Sequence, residues 1–112
     1  AQQYGPIAEG HASSALCHLG NISHQLGKAA APGPLQEKIK GNAGLVEAVG
    51  RMTEHLRANQ VDLAATPLTL GLPLMVDAKN ERFTGEFARP ANALLTRNYR
   101  APFVVPDLSK VS

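Results

Sequence analysis

The chain has 112 residues, a mass of 11.8 kDa and a formal net charge of +2. That length allows one core, burying about two-thirds of the unfolded surface, and excludes a cofactor domain beside a substrate domain. Apolar residues make up 44% and aromatics 4%, with no Trp, so the core must be built from Leu, Val, Ala, Ile and Met.

The opening residues, AQQYGPIAEG, are polar and punctuated by Gly and Pro. They read as a loop or a short edge strand. A helix is predicted over about 11–26. Ala15, Leu16, Leu19, Ile22, Ser23 and Leu26 recur at spacings of three and four. Ser13 or Ser14 is the expected cap, and Gly27 is a natural residue to follow the last turn. Pro32, Gly33 and Pro34 break the chain, with one short turn expected at 35–40. Asn42 caps a second predicted helix over about 43–59. Its stripe is Leu45, Val49, Met52 and Leu56, widened by Val46. Glu47 and Arg51 form a helical pair in the favoured order. Residues 61–74 mix Leu with Thr, Pro and Gly, and are expected to cross the core in irregular or partly extended form. A β-hairpin is expected near 74–84, with strands Leu74–Asp77 and Glu81–Thr84. Asn80 is the turn residue best suited to positive φ. A short helix near 90–96 starts around Pro90. Pro102 and Pro106 then hold Phe103, Val104 and Val105 in an extended tail, as an edge strand or a packed segment. The expected class is α+β, one segment spanning 1–112, with no internal repeat.

The histidines invite a metal reading, which their spacing disfavours. A single helix chelates zinc through His at i and i+4. His11 and His18 are seven apart, two turns or about 10.5 Å of rise. His18 and His24 diverge further, so zinc held by His11, His18 and His24 is the weakest alternative. Cys17 has no activating neighbour in its pattern, and beside an apolar stripe it is expected as a small buried thiol. No G-x-G-x-x-G and no P-loop spacing occurs, so neither phosphate cradle is present. Lys79, Arg82, Arg89, Arg97 and Arg100 bias the last third towards positive charge, but Glu81 and Glu86 interrupt them. A nucleic-acid binder shows a denser basic stripe with interleaved aromatics. A lone cysteine excludes an internal disulfide and fits a reducing compartment. No run of about 18 apolar residues and no signal-peptide pattern occurs. The cytoplasm is the expected compartment, with an exported parent protein as the alternative. The residues by themselves describe an α+β module without a self-contained catalytic kit.

Three stretches in order, GHASSALCHLGNISHQLGK, VDLAATPLTLG and DAKNERFTGEFARPANALLTRNYRAPFVVP, resemble the C-terminal end of bacterial proteins of the Gfo/Idh/MocA oxidoreductase family. That is the glucose–fructose oxidoreductase and inositol dehydrogenase group. The likeness is to a branch with a GH-S-LCHLGNI-RLG helix and an AN-LL-R-YR-PF tail. It covers most of the chain, least of all residues 29–60, and none of its motifs is a catalytic signature. The resemblance implies a longer parent with an N-terminal Rossmann domain that binds NAD or NADP. It implies that this chain belongs to the α+β domain covering the nicotinamide, which often forms the subunit interface. The family's glycine-rich turn, its Glu-Lys-Pro motif and its usual catalytic histidine have no counterpart here, so no catalytic or cofactor-binding residue is carried over. His11 matches the histidine of the GH-S stretch, with a structural or substrate-side role. The expected function is therefore a substrate-side or oligomerising segment of an NAD(P)-dependent oxidoreductase acting on a sugar, polyol or related hydroxyl compound. The segment alone is expected to be inactive. Its expected partners are the missing Rossmann domain and a second copy, as a two-fold dimer. The alternative is a stand-alone protein-interaction module.

Overall fold

The structure, a computed structural model, describes residues 4–106. The α+β expectation holds, and the described residues form four helices and two small antiparallel sheets, about 48% of them helical and 12% in strands. The chain divides into two compact units, Ala1–Pro73 and Leu74–Ser112.

The first unit opens with α1 (Ile7–Gln25), which begins four residues before the predicted start. Pro6 stands at the cap, and its carbonyl accepts from the N–H groups of Glu9 at 3.0 Å and Gly10 at 3.2 Å. Ser13 and Ser14 are therefore interior residues, and no side chain caps the helix. Glu9 supplies the negative charge that suits a first turn. Ala15, Leu19, Ile22 and Leu26 form the covered stripe, with Ile22 buried. Leu16 falls off that stripe and is 72% exposed.

After Leu26 the chain turns through Gly27 into β1 (Lys28–Ala30). Gly27 is needed for space, not for a left-handed conformation. A Cβ there would lie 2.5 Å from the Leu70 carbonyl oxygen and 2.9 Å from the Gly71 Cα. β1 pairs antiparallel with β2 (Leu68–Leu70), matching Lys28 to Leu70 and Ala30 to Leu68. Between them lie α2 (Pro32–Ile39) and α3 (Ala43–Ala58). Where one short turn was expected, Pro32 starts an eight-residue helix. Its fixed φ suits a first helical position, where its missing N–H has no partner to lose. Asn42 caps α3 as predicted, its Oδ1 accepting from the Leu45 N–H at 3.0 Å. At the far end Asn59 closes the helix, and Gln60 takes the left-handed conformation at φ 61. The core is Ala30, Leu35, Ile39 and Val49, with Leu68 and Leu70 half-buried against it. Of the predicted α3 stripe, Val49 is buried and Leu56 half-buried, while Leu45 and Met52 stay exposed.

The second unit is a hairpin, β3 (Met75–Asp77) and β4 (Arg82–Thr84), followed by α4 (Ala88–Ala93). The register matches Met75 to Thr84, Val76 to Phe83 and Asp77 to Arg82. Positive φ falls on Glu81, at 51, rather than on Asn80. The reason is the Asp77 carboxylate. It accepts from the backbone N–H of Lys79 at 3.0 Å and of Asn80 at 3.2 Å, and from Asn80 Nδ2 at 2.6 Å. These bonds hold Asn80 within the turn and pass the reversal to the next residue. α4 starts two residues before the predicted helix, with Pro90 in its first turn. Phe83 and Ala91 are the buried pair of this unit. Among the described residues, 97–106 carry no helix or strand. A turn with a cis Ala101–Pro102 bond brings the Phe103 N–H to the Arg100 carbonyl at 2.8 Å. Phe103, Val104 and Val105 are exposed, forming neither an edge strand nor a packed segment.

Candidate functional site

Three residues within the quoted stretches, Ser23, Gly71 and Asn92, hold segments of backbone together. On α1, the Ser23 hydroxyl donates to the Leu72 carbonyl at 2.7 Å, and the Leu72 N–H donates back to the Ser23 carbonyl at 3.1 Å. Gly71 makes this possible, because a Cβ there would collide with Ser23 Oγ. The last two turns of α1 are thereby clamped to the segment leaving β2.

Beside the clamp is an open groove of about 460 Å³, between the start of α3 and the β2 exit. Ile39, Leu45 and Leu72 give it apolar walls, and Ser23, Asn42 and Lys38 give it polar atoms. The Ser23 hydroxyl is already engaged in the clamp and Asn42 Oδ1 in the helix cap. Lys38 is the only titratable side chain in the lining. Chemically the groove can receive an apolar segment with an anionic end beside the Lys38 ammonium. It does not bring a nucleophile to a base.

The histidines lie elsewhere. His11, His18 and His24 are all exposed on α1. His11 sits in the second turn rather than at the start of the helix, because the helix starts at Ile7. Cys17 is exposed, against the expectation of a buried thiol. A position 200° from Ala15 around the helix points away from the covered stripe. Among the described residues, no group of three or more His, Cys, Asp or Glu is placed to hold a metal ion. No helix among them is long and apolar enough to cross a membrane.

In the second unit Asn92 does what Ser23 does in the first. The Phe83 N–H donates to Asn92 Oδ1 at 3.0 Å, and Asn92 Nδ2 donates to the Phe83 carbonyl at 2.9 Å. The Arg100 guanidinium lies 5.9 Å from the centre of the Phe103 ring, at the outer limit of a cation–π contact. Neither Ser23 nor Asn92 was singled out by sequence reasoning. Gly71 carried a usable signal, since an isolated glycine in an extended apolar stretch marks a close approach of backbones. Comparison with known proteins returned no matching family model, no matching curated protein and no matching solved structure.

Proposed function

We propose that the chain is a scaffold segment of a larger NAD(P)-dependent oxidoreductase acting on a sugar, polyol or related hydroxyl compound, as the resemblance to the Gfo/Idh/MocA family implies. Its part is packing, the substrate-side wall and oligomer contact. NAD or NADP, held by the parent's Rossmann domain, would supply the hydride chemistry, and this chain would hold no part of that cofactor site. A second copy pairs with the chain about a two-fold axis.

The observation that carries this reading is the amount of apolar side chain left uncovered. Eight side chains are buried among the described residues, all of them apolar. Against them stand Ile7 and Leu16 on α1, Met75 and Val76 on β3, and Phe103, Val104 and Val105, all exposed. Where such side chains lie together, as Met75 and Val76 do on β3, apolar surface invites cover by further polypeptide. The roles of Ser23 and Asn92 agree with it, because these two side chains spend their polar atoms on backbone.

Reading the coding sequence upstream of Ala1 tests the proposal. A strand followed by G-x-G-x-x-G, and later Glu-Lys-Pro, is the expected result. A start codon adjoining Ala1 would overturn it and favour the stand-alone interaction module. Calorimetry on the 112-residue chain gives a second check. No heat of NAD or NADP binding at micromolar concentrations is expected, and stoichiometric binding would contradict the assignment of the cofactor to the missing domain.

A further inference from the structure

The two edges of the β3–β4 hairpin are unlike. On the β4 side, the Asn92 carboxamide occupies both the N–H and the C=O of Phe83. A side-chain amide stands where the peptide of another strand would stand. Those bonds also fix the phase of the hairpin. Phe83 faces Val76 in the register. With its N–H and C=O pointing to Asn92, the Val76–Phe83 pair is of the non-hydrogen-bonded kind. Val76 therefore turns its own N–H and C=O outward, to the opposite edge. Among the described residues nothing bonds to them. Val76 is 42% exposed and Met75 is 67% exposed. Within β3 there is no Lys, no Pro and no bulge to guard the edge.

We infer that this edge is where a second copy of the chain docks, by antiparallel pairing of β3 with β3 of the copy about a two-fold axis at Val76. The inference rests on the self-association proposed above and gives it a place. Self-complementarity selects the occupant. About such an axis Val76 opposes Val76 of the copy, and each donates its N–H to the other's carbonyl. The donor and the acceptor left over in one chain are both satisfied by the same residue of the other. Met75 then stands opposite Asp77 of the copy, so the only charge in the strand does not meet its like. The product is a four-stranded sheet ordered β4–β3–β3–β4, with each outer edge filled by Asn92. A two-stranded hairpin alone is marginal in water, and three or more strands remove that weakness.

Sedimentation equilibrium of the 112-residue chain, run over a range of concentrations, tests this with Val76→Lys and Val76→Glu. Each variant alone is expected to associate at least tenfold more weakly, because like charges then face each other across the axis. An equimolar mixture of the two is expected to recover association, and circular dichroism checks that each is folded. Met75→Lys places a cation opposite Asp77 of the copy, and its association is expected to be tighter at low salt than at high salt. A wild-type chain that stays monomeric overturns both the self-association and this placement. A wild-type dimer that Val76→Lys leaves intact, or variants whose mixture fails to recover, overturns the placement alone.

Discussion

Gly71 and Asn92 show how much of this fold hangs on single side chains. Adding one methyl at Gly71 forces the Ser23 hydroxyl and its helix away from the β2 exit. Gly71→Ala is expected to cost about 1–3 kcal/mol, the usual range for overpacking a close contact. Urea denaturation followed by circular dichroism measures it, and an unchanged midpoint would show that α1 is not clamped there. Asn92→Ala strips two bonds from the Phe83 backbone, leaving a half-buried donor and acceptor unmet. The expected loss is about 1–3 kcal/mol, the cost of unsatisfied buried groups. Faster amide exchange at Phe83 in the variant is the direct readout. Neither Ser23, the partner of Gly71, nor Asn92 stood out in the sequence for these roles. A serine or an asparagine has many local uses, and its partner is known only when a distant segment arrives beside it. Asn42 is the contrast. Its partner is three residues ahead in the chain, so its capping role was readable from local spacing.

At the scale of elements, the hairpin turn has a titratable lock. The Asn80 side-chain amide is the main reason the Asp77 carboxyl sits below its ordinary value of 3.8, helped by the backbone N–H groups of Asn80 and Lys79 and opposed by partial desolvation. In the unfolded chain that carboxyl titrates at its ordinary value, so acid protonates the unfolded state first. The turn's contribution is therefore fully present above the unfolded value and is lost as pH falls through the lower, folded one. Asp77→Ala is expected to weaken the hairpin at neutral pH and to flatten this acid dependence. Chemical-shift titration of the Lys79 and Asn80 amides between neutral pH and pH 2 tests both points. The elements legible in the sequence were those whose pattern is local. α3 showed a stripe of apolar residues over three turns, and the hairpin showed two short runs about a polar turn. The β1–β2 pair was not legible. Three-residue strands are too short to display alternation, and their register matches residues about forty apart. The start of α1 was placed late because it has no side-chain cap to mark it.

On α1, Glu9, His11, Cys17, His18 and His24 are all exposed. The α+β class, the two amphipathic helices, the hairpin and the Asn42 cap were determined by the sequence alone, because propensity, periodicity and turn chemistry act over a few neighbouring residues. Only the tertiary structure decided which face of α1 is covered, that Gly27 and Gly71 are there for space, and that Asn92 stands in for a missing strand. It also decided that Cys17 faces solvent and that the edge of β3 is left open. These are outcomes of segments meeting across long stretches of chain. Each depends on where a backbone atom of one segment falls against another, to within about the size of a methyl group, and no local pattern of residues records that.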